Sequence, residues 1–133
     1  MKILQFTFDP NENNNNFEDI ENMVIYTGSH DNQTIKGWYL SQDKETRNRI
    51  RKSLKKLGYD DRIISKRFVR LTLDSIAEMA ILPLQDLINL GDEARINTPG
   101  TLGSPNWEWK LDNFSKFKKE IGNLKEFITA SKR

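Results

Sequence analysis

The chain has no cysteine and a single histidine among its 133 residues. Without sulfur there is no disulfide framework, no thiolate zinc site and no cysteine nucleophile. A reducing compartment fits, and a cytoplasmic location is expected. One histidine is too few for a histidine-built metal centre. Neither GxxxxGK[ST] nor GxGxxG occurs, so no glycine loop is present to cradle phosphates, and no metal or organic cofactor is expected. An excess of one charge is also missing. Lys plus Arg number 21 against 19 Asp plus Glu, a balance that gives no general nucleic-acid footprint. No apolar run approaches the roughly 20 residues needed to cross a bilayer. The start, Met1 to Pro10, has no apolar core leading to a small-residue cleavage site, so it does not read as a signal peptide. No membrane partner is expected.

What is present suits one modest domain. Leu4, Phe6 and Phe8 alternate with Gln5, Thr7 and Asp9, a period of two that predicts a strand over 3–8. From Asn11 to Asn22 the composition collapses to asparagine and acids, with four consecutive asparagines at 13–16, which reads as a solvated loop. Met23 to Thr27 is β-branched and aromatic and bounded by Gly28, the signature of a buried parallel strand. A helix follows, capped by Asp43 or Ser41, with Ile50, Leu54 and Leu57 on one face and Gly58 at its end. A second, largely buried helix is predicted from Asp60 or Asp61 through Ile64, Phe68 and Leu71 to about Met79. Ala80 to Leu82 predicts a short strand ended by Pro83, and Leu84 to Leu90 a helical turn stopped by Gly91. A Gly/Pro/Asn-rich loop runs to about Asn113. Phe114, Phe117, Ile121, Leu124 and Ile128 then mark one face of a terminal helix over 112–133. Strands separated by helical crossovers make an α/β architecture with parallel pairing. About three such strands do not close a sheet, and a barrel of eight units takes about 250 residues; the pattern reads as part of something larger.

Three stretches carry chemistry. The first is Tyr26-Thr27-Gly28-Ser29-His30-Asp31-Asn32, placed directly after a strand, where α/β proteins build their sites. Asp31 fits equally as a helix N-cap or as a functional carboxylate, and His30 as a satisfied structural imidazole or a ligand-binding one. The second is Gly91 to Gly100 followed by Asn106-Trp107-Glu108-Trp109-Lys110. Tryptophans in a loop with Asn, Asp, Arg and His nearby make a surface for sugars, which offer apolar C–H faces rimmed by hydroxyls; the other reading is that they pin the loop to the protein body. The third is the basic helix from Arg47 to Lys56. A solvated helix face accounts for it, and a nucleic-acid-binding helix is the rival.

Taken in order, Met1-Lys2-Ile3-Leu4-Gln5-Phe6, Tyr26 to Asn32, Ile81-Leu82-Pro83-Leu84-Gln85-Asp86, Glu93 to Gly100 and Asn106 to Lys110 resemble the C-terminal part of the 4-alpha-glucanotransferases, the amylomaltases or disproportionating enzymes of glycoside hydrolase family 77. The resemblance spans residues 1–111; residues 112–133 match only as a generic terminal helix. It implies the C-terminal portion of a (β/α)8 TIM barrel: about three parallel strands with covering helices, a single partial domain over 1–133. It also implies transfer of α-1,4-glucan segments between maltooligosaccharides by a retaining mechanism, which needs a nucleophile and an acid/base carboxylate about 5–5.5 Å apart. In the family both precede the segment that matches Met1, so the chain alone is expected to be inactive.

On the same resemblance Asp31 is the acid that binds sugar hydroxyls and stabilises the transition state, and His30 hydrogen-bonds the sugar beside it. Gln85, Asp86, Arg95 and Asn97 fall at or behind the substrate groove, Asp86 and Arg95 serving equally well as a structural cap or ion pair, and Trp107 joins the substrate-binding set. The chain departs from the family pattern at Asn13 to Asp19, where a Pro-His-Asn segment is common. Ser29 stands for a usual threonine, Lys110 for a usual arginine, and Pro105 is an added residue. Met1 matches an internal methionine, which implies a piece of a longer chain or a misassigned start. Exposed barrel edges would then favour self-association. The rival function is a non-catalytic glucan-binding or interaction module.

Overall fold

Among the described residues three short strands pair in parallel in the order β1 (Lys2–Ile3), β2 (Val24–Tyr26) and β3 (Met79–Ile81). Lys2 lies opposite Ile25, which lies opposite Ala80; Ile3 lies opposite Tyr26, which lies opposite Ile81. The computed structural model describes residues 1–11, 18–131 and 133, so the asparagine run at 13–16 and Phe17 lie outside the described residues.

The strand expected over 3–8 is corrected. It stops at Ile3, and Leu4–Phe8 is a short helix, α1. Leu4, Gln5, Thr7 and Phe8 are buried while Phe6 is exposed. That pattern fits a helical turn facing the core, with Leu4 and Phe8 one above the other, and not the alternation of a strand.

Sequence reading passed over α2 (Ile35–Ser41). Gly37 is a poor helix former, but a Cβ there would collide with the Asp92 carboxylate. The cap is Thr34, whose Oγ accepts from the Gly37 N–H at 3.1 Å; Asp31 is therefore not the N-cap of this helix. Ile35, Trp38 and Tyr39 turn one face of α2 to the core. The helix α3 (Lys44–Lys56) is capped by Asp43, which accepts from the Thr46 N–H at 2.8 Å, a bond that holds its carboxyl below the ordinary value. Ile50 and Leu54 are buried, whereas Leu57 is exposed at the C-cap, ahead of Gly58 at φ 94°.

The buried helix is shorter than expected: α4 is Ile64–Asp74. At its start the carbonyls of Asp60 and Asp61 are taken by the buried Arg67 guanidinium at 3.1 and 2.6 Å. At its end Ser75 is extended, its Oγ accepts from the Ala77 N–H, and Arg133 donates to the carbonyls of Leu73, Ser75 and Ala77. The chain is thereby freed to enter β3. Phe68, fully buried on α4, meets the rings of Phe8 and Trp38 edge-on at 5.1 and 5.9 Å, joining three elements that are distant in sequence.

Leu84–Leu87 forms the short helix α5, ended by Asn89 in a left-handed conformation at φ 56°. A 3₁₀ turn covers Asp92–Ala94. The terminal helix α6 (Ser115–Ala130) rests on α4 and α5, with Phe117, Leu124 and Phe127 around Val69 and Leu87, and a 2.9 Å Lys66–Glu120 ion pair beside them. Its expected stripe splits: Phe114, Ile121 and Ile128 point to solvent.

Among the described residues the sheet is covered on one face only. Ile25 is fully buried in the core that the helices build, and Ala80 packs against it. Alternation places Ile3, Val24, Tyr26, Met79 and Ile81 on the opposite face, where Met79 is 53% and Ile81 40% exposed. Among the described residues no helix is long and apolar enough to cross a membrane.

Candidate functional site

Because the strands are parallel, the segments that follow them emerge at one end of the sheet. After β2 the chain leaves through Thr27 and turns across residues 28–34 before entering α2. Asn32 shapes this turn, its Oδ1 accepting from both the N–H and the hydroxyl of Ser29 at 2.9 and 2.8 Å. The turn presents His30 and Asp31 half-exposed, with His30 Nε2 3.4 Å from Asp31 Oδ1.

The loop after α5 closes over these two residues. Asn97 donates its backbone N–H to the His30 carbonyl at 3.1 Å and its Nδ2 to Asp31 Oδ1 at 2.7 Å. Arg95 donates to the Asp31 carbonyl and to the Asn97 carbonyl, each at 2.9 Å. Among the described residues no donor reaches Asp31 Oδ2, so that oxygen stays available to a ligand hydroxyl. Trp107 adopts a left-handed φ of 63°, uncommon for a bulky residue, and donates its N–H to the Ile96 carbonyl at 2.8 Å. Trp107 is 65% exposed, and its ring centroid lies 5.1 Å from that of His30. Trp109 is half-buried in a groove with Ile88, Leu90 and Glu93, as a loop-pinning residue would be.

A cavity of about 170 Å³ opens beside His30, lined among others by Ser29, Asn32, Gln85, Asp86 and Arg95. The structure thus brings His30, Asp31, Asn97 and Trp107 into one constellation. Gln85 is buried, and its Nε2 donates to the Ala94 carbonyl at 3.2 Å, so it borders the cavity while tying down the 3₁₀ turn. Asp86 is buried too. It accepts from the Thr27 hydroxyl at 2.6 Å and from the Ile35 N–H at 2.8 Å, and its carboxyl is pushed up to about 6 because burial outweighs those two bonds.

Residues the sequence reading left out also shape the site. Gln5, in α1 just after β1, donates to the Gln33 carbonyl and accepts from Asn32 Nδ2, and Gln33 donates to the Asp92 carboxylate. Among the described residues no group of His, Asp or Glu is placed to hold a metal ion.

The surface so built has an open carboxylate oxygen, an imidazole, an amide and an exposed indole, the groups that suit a sugar's hydroxyls and C–H face. Residues 1–116 match the family model of glycoside hydrolase family 77, described as 4-alpha-glucanotransferase. The chain belongs to that family. The chloroplastic/amyloplastic 4-alpha-glucanotransferase of Arabidopsis thaliana is 39% identical over 121 residues, 88% of this chain and 20% of its own. The 4-alpha-glucanotransferase of Clostridium butyricum is 38% identical over 131 residues, 92% of this chain and 25% of its own. An amylomaltase from Streptococcus agalactiae in complex with acarbose matches the whole of this chain with a TM-score of 0.85 at 28% identity, using 27% of its own length. The chain therefore spans between a fifth and about a quarter of these glucanotransferases. The expected family and the expected α/β arrangement of three parallel strands with helices are both met.

Proposed function

We propose that this chain is part of a 4-alpha-glucanotransferase and that its strand-end site binds one sugar of an α-1,4-glucan during retaining transfer between maltooligosaccharides. The observation that carries the reading is the convergence of His30, Asp31, Asn97 and Trp107 beside a cavity at the carboxyl end of the sheet. Asp31 is the transition-state stabiliser: Asn97 fixes one carboxylate oxygen, and the other accepts from sugar hydroxyls whose hydrogen bonds strengthen as the ring approaches the oxocarbenium ion. His30 and Asn97 orient the same sugar, Trp107 offers its indole face, and Gln85 supports the cavity wall.

Retaining displacement requires a nucleophile and an acid/base about 5–5.5 Å apart. Asp86 is buried and engaged, which leaves Asp31 as the carboxylate this constellation presents. The nucleophile and the acid/base belong to the rest of a composite enzyme, and the 133 residues alone are inactive. Its further strands complete a (β/α)8 barrel and cover the apolar face of Ile3, Tyr26, Met79 and Ile81. The test is disproportionation of maltotriose. The chain alone should release no glucose and build no longer maltodextrins. An amylomaltase carrying this chain in place of its own equivalent segment should do both, and Asp31→Asn there should lower kcat/KM by about 10² to 10³. Transfer by the isolated chain, or near-normal transfer in the Asp31→Asn hybrid, contradicts the assignment.

A further inference from the structure

Asp31 sits on a turn that is half-exposed, yet its position is set from below by two side chains that are almost completely buried. Asp86 is 2% exposed and Gln5 4%. Thr27 is the last residue before the turn and Ile35 the first residue of the helix after it. The two carboxylate oxygens of Asp86 are divided between them, Oδ2 accepting from the Thr27 hydroxyl and Oδ1 from the Ile35 N–H. One side chain from the β3 end thus holds both ends of the turn.

Gln5 reaches its middle from the β1 side. Its Nε2 donates to the Gln33 carbonyl at 3.1 Å and its Oε1 accepts from Asn32 Nδ2 at 3.0 Å. Asn32 in turn accepts from the Ser29 N–H and hydroxyl, and Ser29 Oγ accepts from the Asp31 N–H at 3.3 Å. A continuous chain of hydrogen bonds therefore runs from the buried Gln5 amide on α1 to the backbone of Asp31. Gln5 lies outside the cavity lining, and Asp86, which borders the cavity, has both carboxylate oxygens engaged by Thr27 and Ile35. Buried donors and acceptors that satisfy one another in this way specify one arrangement, because breaking any member leaves a desolvated polar group.

We propose that Asp86 and Gln5 are positioning residues for the His30–Asp31 turn: Asp86 clamps its two ends, Gln5 its middle, and together they deliver the Asp31 carboxylate in a fixed place. The proposal rests on the reading of Asp31 as a sugar-binding carboxylate for its functional meaning, though not for its structural test. That test is hydrogen–deuterium exchange of the 133-residue chain at micromolar concentration, with calorimetric titration by acarbose. In Asp86→Ala and in Gln5→Met, amides of segment 28–35 should exchange at least tenfold faster while those of α3 keep wild-type protection. Acarbose affinity should fall by a similar factor.

Asp86→Asn should restore most of both, since its oxygen still accepts from the Ile35 N–H and its amide can donate to the Thr27 hydroxyl. Exchange in 28–35 that is unchanged, or that rises only together with α3, overturns the proposal and leaves the two residues as ordinary supports of the core. If Asp86→Ala does not fold, Gln5→Met decides by the same two criteria. If the wild-type chain does not bind acarbose, the sugar-site reading fails, while the exchange comparison still judges the positioning.

Discussion

A carboxyl group with two donors at full burial has a pH dependence of its own. Asp86 titrates near 6 in the folded chain against an ordinary 3.8, because desolvation penalises the charge more than the Thr27 and Ile35 bonds favour it. Between those values the folded state keeps a proton that the unfolded chain has lost. This group's contribution is therefore most favourable below pH 4 and declines as pH rises through 6. Asp86→Asn does not titrate, so the variant should gain stability relative to wild type between pH 4 and 6 and hold a constant difference above that. The full change is on the order of 2–3 kcal/mol. Urea denaturation of both proteins at a series of pH values measures it, and a difference that does not vary with pH contradicts the burial-driven shift. Asp31, in contrast, is half-exposed: Asn97 engages one oxygen, and among the described residues no donor reaches the other, which the proposed role would offer to a sugar hydroxyl.

At the scale of elements the site depends on where α2 begins and how α3 and α4 pack. Thr34→Ala removes the α2 cap at the end of the site turn and should cost about 1 kcal/mol. Leu54→Ala empties a fully buried position on α3 and should cost 2–5 kcal/mol. Both are read from denaturation midpoints, and a smaller effect at Leu54 than at Thr34 would place the core elsewhere. The elements that were legible in the sequence are those whose burial follows one period over many residues. Ile50 and Leu54 mark α3, and Ile64 and Phe68 mark α4. The illegible ones are short and governed by tertiary contacts. Residues 4–8 alternate like a strand but coil because Leu4 and Phe8 share a core pocket with Phe68, and α2 carries a glycine only because Asp92 comes close. For the candidate site, His30, Asp31, Asn97 and Trp107, which the structure brings together, could be singled out because they stand in the motifs that carry the family resemblance. Gln5 and Asn32 act through hydrogen bonds between distant segments, which no local pattern records.

At the scale of the whole molecule, three parallel strands have helices on one face and an apolar, partly exposed surface on the other, and Ile121 and Ile128 on α6 are exposed together with Phe114 just before it. Parallel sheets are ordinarily covered on both faces, and exposed apolar surface next to open strand edges promotes association. Light scattering should show concentration-dependent self-association of the isolated chain, reduced by Met79→Lys combined with Ile81→Lys; a monodisperse monomer at all concentrations contradicts it. The central claim is that this piece of a glucanotransferase carries a sugar subsite organised around Asp31. Calorimetric titration of the 133-residue chain with acarbose, wild type against Asp31→Asn, tests it most directly. The account predicts saturable binding by the wild type that weakens at least tenfold in the variant, with the fold of both unchanged by circular dichroism. Equal binding by the two, or none by the wild type, would contradict it.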